Sequence, residues 1–232
     1  MTIPPELAAL IQSITVGALP VIFAITFHEA AHGFVAYKLG DDTAWQMGRV
    51  TFNPLKHIDL FGTIILPLIL LLGSGGRFVF GYAKPVPVRF DRLRNPRRDM
   101  VWVALAGPGI NIVLALLSAV LLSGTNFLPS FLRGWTEDNL VNSVVFNVII
   151  AVFNMIPLPP LDGGRVAVGL LPNALAIPLA RSERYGMLIL ITLLFLLPMI
   201  GDQLHMNLNP VGYVIQRPVE WLLRGISWLT GV

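Results

Sequence analysis

The sequence predicts an all-α integral membrane protein. About four transmembrane helices are expected, with a re-entrant and β-hairpin membrane-associated region and a C-terminal amphipathic helix. Three observations carry this. Of the 232 residues, 55% are hydrophobic and only 12% charged, with a mean hydropathy of +0.72; an average soluble domain is about 25% charged. The apolar residues gather into uncharged runs of bilayer length. The basic residues collect between those runs. A water-soluble globule, a disordered chain and a nucleic-acid-binding domain are excluded on this composition, and the lipid bilayer is the expected surroundings.

Residues 7–27 form the first uncharged run, interrupted by Pro20. At about 1.5 Å per residue, such a run spans a hydrocarbon core of about 30 Å. No positive n-region precedes it, so it reads as a mature helix and not as a signal peptide. Residues 100–123 and 139–161 form the second and third runs, and the third ends at Pro157, Pro159 and Pro160. Residues 185–201 form a shorter fourth.

Between the first and second runs, residues 60–73 are apolar but too short to span, with Pro67 near the centre. This length suits a re-entrant or interfacial segment. Residues 41–57 and 77–90 read as strands and turns that would need pairing or burial inside a membrane. Residues 211–229 mix Trp221, Leu222, Leu223, Ile226 and Trp228 with Arg217, Glu220 and Arg224, as in an interfacial amphipathic helix.

Charge sets the expected orientation. Arg77, Lys84, Arg89, Arg92, Arg94, Arg97 and Arg98 precede the second run; Lys38, Arg49 and Lys56 follow the first; Arg165, Arg181 and Arg184 follow the third. By the positive-inside rule these loops are cytoplasmic and the N-terminus is outside. That pattern requires residues 60–73 to enter and leave on one side.

The chain has no cysteine and four histidines, so a transition-metal site must use imidazole and carboxylate. His28, Glu29 and His32 form H-E-x-x-H within FHEAAHG. On a helix, positions i and i+4 share a face, so both imidazoles can hold one ion, with Glu29 placed to take a proton from water. Three ionisable groups on a transmembrane helix also need partners. The plainer alternative is two histidines satisfied by helix–helix hydrogen bonds. A catalytic zinc takes three protein ligands and keeps one position open. Asp162, in NMIPLPPLDGGR (154–165), is the best candidate for the third; its plainer role would be to cap the next helix.

These pieces, with GRVTFNPLKHID (48–59), GYAKPVPV (81–88) and AGPGIN (106–111), resemble the site-2 proteases, a family of intramembrane zinc metalloproteases, in their compact branch without a PDZ domain. The resemblance implies one zinc per chain on His28, His32 and Asp162. It implies Glu29 as general base and Asn154 as a donor to the developing oxyanion or substrate carbonyl. It further implies peptide-bond hydrolysis in or near the transmembrane segments of single-span membrane proteins. All 232 residues then form a single polytopic domain, with a catalytic core over about 7–165 and C-terminal helices over about 166–232. The site faces the cytoplasmic side of a multi-pass protein of the cell membrane. Gly81, Tyr82, Ala83 and Lys84 are candidates for holding an extended substrate along a strand edge, as is the stretch 48–53. Asn111 is a candidate for positioning the metal-bearing helix, helped by close packing at Ala106, Gly107 and Gly109, with plain packing between helices as the alternative to a catalytic role. His57 and Asp59 belong to the family pattern without a derivable role. The competing classes are a membrane metal transporter and an inactive zinc-containing scaffold.

Overall fold

The computed structural model describes residues 4–73 and 81–232. Four of its helical runs are long and apolar enough to cross a bilayer: Ile11–Lys38, Pro96–Leu122, Ser130–Asn154 and Asn173–Gln203. The expected number of spans stands, but the bounds move. The first helix, α1 (Pro5–Lys38), runs continuously across Pro20 and past residue 27. It ends where Gly40 takes φ +115, a conformation that suits glycine. A short helix α2 (Thr43–Gln46) follows, set by Asp41, whose carboxylate accepts from the Thr43 N–H and hydroxyl.

Residues 60–73 form an apolar helix too short to cross a membrane, with α3 (Leu66–Gly73) as its second part. The first part, Leu60–Ile65, is a widened π-type turn capped by the Asp59 carboxylate. It lies just ahead of Pro67. A second π-type turn, Thr192–Leu196, lies just ahead of Pro198. Proline lacks an N–H and crowds the carbonyl four residues back, and the wider turn makes room for its ring.

The core is a three-helix unit. Helix α4 (Pro96–Leu122) runs antiparallel to α1, and α5 (Ser130–Asn154) antiparallel to α4. Small residues line the contacts: Ala115 and Ala119 are buried beside Val148, and Ala24 of α1 is fully buried. This lets backbones approach closely, as membrane helices need in the absence of a hydrophobic drive. The loop 155–161 turns the chain into α6 (Asp162–Leu170). Helices α7 (Asn173–Ile191) and α8 (Leu197–Gln203) make one continuous run through the second π-type turn. This run starts well before residue 185; Glu183 within it pairs with Arg165 at 3.7 Å. The last helix, α9 (Pro210–Thr230), packs Val219, Leu223 and Ile226 on α4 and α5 and leaves Trp221 and Trp228 exposed.

The β-hairpin expectation is corrected: among the described residues there is no strand. Residues 41–57 are α2, a turn at Gly48 (φ +63) and a 3-10 turn, Pro54–Lys56. The apolar alternation in WQMGRVTFN is too short, once Asp41 and Gly48 have set turns, to build a ladder. Residues 77–80 of the other expected strand lie outside the described residues. The re-entrant expectation has no counterpart in the fold, which gives only the short helix.

From residue 81 to 88 the chain is a strap without helix or ladder. Its bonded residues alternate. The N–H groups of Tyr82, Lys84 and Val86 go to Gly62 O, His57 O and Glu29 Oε2. The carbonyls of Tyr82 and Lys84 accept from Thr63 and Arg49. That alternation is the mark of an extended chain with one edge turned to the protein.

Candidate metal centre

The three expected ligands meet. His28 Nε2 lies 3.0 Å from His32 Nε2 and 3.1 Å from Asp162 Oδ2, and His32 Nε2 lies 3.3 Å from the same oxygen. All three residues are buried. The histidines are one turn apart on α1, their rings crossed at 83°. Asp162 opens α6, the helix that the proline loop turns back toward α1.

Glycines make the approach possible. A Cβ on Gly107 of α4 would stand 2.6 Å from His28 Nε2 and would also collide with His32 Nε2. A Cβ on Gly163 would stand 2.5 Å from Ile156 O, and one on Gly164 2.6 Å from Leu158 C. Thus α4 reaches the imidazoles, and α6 reaches its own preceding loop, only as bare backbone. Gly109 faces open space and carries no such demand.

The hydrogen bonds behind the ligands decide their chemistry. His32 Nδ1 lies 2.7 Å from the Val103 carbonyl, which can only accept. His28 Nδ1 lies 2.6 Å from Asn111 Oδ1, and the Asn111 amide nitrogen donates to Ala24 O at 3.1 Å and Asn147 Oδ1 at 2.7 Å. Both imidazoles therefore carry hydrogen on Nδ1, and in their neutral form they present a lone pair at Nε2. Two such lone pairs and a carboxylate oxygen converge with no hydrogen among them. A divalent cation satisfies that arrangement, and imidazole with carboxylate is a zinc donor set. Among the described residues the cluster holds three ligating side chains, so a tetrahedral ion keeps a fourth position for water or substrate.

Glu29 stands beside the pair, half-buried, with Oε2 accepting the Val86 N–H at 2.7 Å. Asn154 sits at the end of α5, half-buried; its amide donates back to Ile150 O at 3.0 Å, and no bond joins it to the three ligands. Asn111 bridges α4 to α1, donating to Ala24 O and accepting from His28 Nδ1–H. His57 is separate from the cluster. It donates to Thr51 O at 3.0 Å, its carbonyl holds Lys84, and its Nδ1 has no partner among the described residues. Asp59 caps the short helix and is not paired with His57. Gly81, Tyr82, Ala83 and Lys84 lie in the strap that Val86 anchors to Glu29; residues 48–53 form turns and offer no edge.

Sequence reasoning missed Val86 and Val103, which act through backbone atoms and leave no side-chain signal. It also missed Asn147, which is 1% exposed at the centre of an apolar helix. An amide in that setting is itself the signal, since polar groups inside a membrane need partners.

Comparison with known proteins agrees with this chemistry. The family model described as Peptidase family M50 matches residues 16–139, from mid-α1 into α5. A Bacillus subtilis (strain 168) protein named "Putative zinc metalloprotease YwhC" is 39% identical over 180 residues, 75% of this chain and 78% of that one. "Putative zinc metalloprotease Rip2" of Mycolicibacterium smegmatis is 30% identical over 174 residues, covering 75% of this chain and 64% of its own length. "Putative zinc metalloprotease MJ0611" of Methanocaldococcus jannaschii is 34% identical over 140 residues, covering 60% and 62%. The chain thus spans less than two thirds of the latter two. No solved structure matches.

Proposed function

The chain belongs to peptidase family M50, a family of zinc metalloproteases, and on that premise we propose that it hydrolyses peptide bonds in or beside the transmembrane segments of single-span membrane proteins, with Glu29 as general base. The observation that carries this is the convergence of His28 Nε2, His32 Nε2 and Asp162 Oδ2 within a bundle of membrane-length helices.

When bound, zinc supplies Lewis acidity, lowering the pKa of water to about 7 and polarising a carbonyl. The chain's own groups do the rest. His28, His32 and Asp162 would hold the ion. Glu29, fixed through Oε2 by Val86, accepts a proton from water at Oε1. The oxygen of that water adds to the scissile carbonyl carbon. Glu29 then returns the proton to the departing amine as the C–N bond breaks. Asn154 serves as an amide donor to the oxyanion once its side chain swings from Ile150 O toward the substrate.

The basic loops put the N-terminus outside and the metal centre toward the cytoplasm of a multi-pass membrane protein. In this orientation α9 lies at the interface with Trp221 and Trp228 at headgroup level. A transporter needs no glutamate immediately after the first ligand. A structural zinc would be expected to close its fourth position. Glu29→Gln tests the reading: purified variant should keep its zinc and lose cleavage of a membrane-embedded substrate. Unchanged hydrolysis would remove Glu29 from its role.

A further inference from the structure

His28 has two acceptors competing for its one proton. Asn111 Oδ1 lies 2.6 Å from Nδ1, and Asp162 Oδ2 lies 3.1 Å from Nε2. Were the proton on Nε2, His28 and Asp162 would satisfy each other and the ion would lose two of its three ligands. The site therefore needs something that keeps the proton on Nδ1.

Asn111 alone does not guarantee this, because an amide can rotate by half a turn and offer N–H in place of oxygen. What prevents the rotation lies further back. Asn111 is 0% exposed and Asn147 1% exposed. The Asn111 amide nitrogen faces two acceptors, Ala24 O and Asn147 Oδ1. Asn147 shows Asn111 its oxygen because its own nitrogen is committed to Ser143 O at 2.8 Å, with Ser143 Oγ at 3.3 Å. Ser143 in turn meets Ser118 at 2.8 Å. Every amide in the chain points the same way, donating away from His28. Turning either amide would set oxygen against a backbone carbonyl at a fully buried position, where such a clash of acceptors is costly.

We propose that Asn147, which touches no ligand, is a positioning residue that acts through Asn111 to hold His28 in the Nδ1–H form and so keep Nε2 available to the metal. Two asparagines serving only as glue between helices could bond each other reciprocally. Here each spends its single oxygen on the member nearer His28 or on His28 itself. The inference rests on the zinc reading above and goes beyond it to a residue on a different helix from any ligand.

The test uses the purified full chain in detergent and zinc alone as the probe, with affinity read by chelator competition. Partners behind metal ligands typically change affinity by about 10–100-fold. Asn111→Leu should weaken zinc by up to about 100-fold and Asn147→Leu by about tenfold. In the Asn111→Leu background, Asn147→Leu should add nothing, because the link to His28 is already cut. Nitrogen NMR of zinc-free protein labelled at its four histidines should show His28 as the Nδ1–H tautomer, shifting toward Nε2–H in either single variant. If Asn147→Leu does not yield folded protein, Asn147→Ala removes the same acceptor. Unmoved zinc affinity and tautomer in the Asn147 variant would overturn the inference, as would an equal effect of Asn147→Leu with and without Asn111. Wild-type protein that takes up no zinc overturns the zinc reading and this inference together; wild-type protein that holds zinc beside an unmoved Asn147 variant overturns this inference alone.

Discussion

The backbone N–H of Val86 donates to Glu29 Oε2 at 2.7 Å, so the 81–88 strap fixes the carboxylate that follows the first ligand in sequence. A hydrogen bond to a carboxylate is worth about 1.5–3 kcal/mol. Val86→Pro deletes this donor and should lower the cleavage rate by about one to two orders of magnitude, with zinc content unchanged. Val86→Ala keeps the N–H while losing the contact with Gly33, and should cost far less. Equal losses in both variants, measured on a membrane substrate, would show that the side chain matters and not the N–H.

Gly107 and Gly109 stand two residues apart on α4 and should respond in opposite ways. A Cβ at Gly107 meets both ligand imidazoles, while one at Gly109 meets nothing within 4 Å. Gly107→Ala should bring zinc stoichiometry below half of the wild-type value by elemental analysis. Gly109→Ala should leave it intact. A fully loaded Gly107→Ala protein would mean that α4 can withdraw without cost to the site.

How much of this was legible in the residues depends on which atoms act. His28 and His32 were readable because helical spacing alone puts them on one face. Asp162 was readable because prolines and paired glycines around a lone carboxylate mark backbone packed tightly near a cavity. Val86 and Val103 were not, since any residue but proline has the N–H that Val86 uses, and every residue has the carbonyl that Val103 uses. The first span was cut short at residue 27 because a run of uncharged residues stops at His28, whereas the helix continues: its polar groups are satisfied inward by Asn111, Val103 and Asp162. The strand reading of 41–57 failed for a local reason. Asp41 bonds Thr43 and Arg89, and this side-chain capture sets turns that apolar alternation over a few residues cannot override.

Arg97 closes the far end of the helix that carries Asp162. Its guanidinium donates to Gly169 O at 3.1 Å, to Asn173 Oδ1 at 2.7 Å and to the Leu171 carbonyl, tying α4 to the end of α6 and the start of α7. These are the last carbonyls of a helix, where a cation is favoured. The side chain is exposed, so solvent screens part of the gain. Arg97→Ala should cost about 1–2 kcal/mol, seen as a lower thermal midpoint. The neighbouring Arg98→Ala should be silent. Equal midpoints for the two variants would mean that α6 is held by its glycine packing alone.

The strap makes a sharper prediction about how an extended substrate would be held. The inward edge, from Tyr82, Lys84 and Val86, is already spent on Gly62, His57, Glu29, Thr63 and Arg49. The outward edge belongs to Ala83, Pro85 and Pro87, none bonded among the described residues. Two of the three are prolines, so this edge offers three carbonyls but a single N–H, that of Ala83. A peptide added there must act mainly as donor, and Ala83 supplies the one bond in the other direction. Ala83→Pro removes it without touching any of the strap's own anchors, and the residue before it is already extended, as a following proline requires. Losing one neutral hydrogen bond costs about 0.5–1.5 kcal/mol. The variant should therefore raise the KM for a membrane substrate by roughly two- to tenfold, with zinc content and thermal midpoint unchanged. The converse change, in the substrate, should matter more: replacing backbone N–H groups near the scissile bond by ester oxygens strips the donors that three carbonyls would take. If ester substitution at each position near the cleavage point leaves KM where it was, the substrate does not lie along this edge.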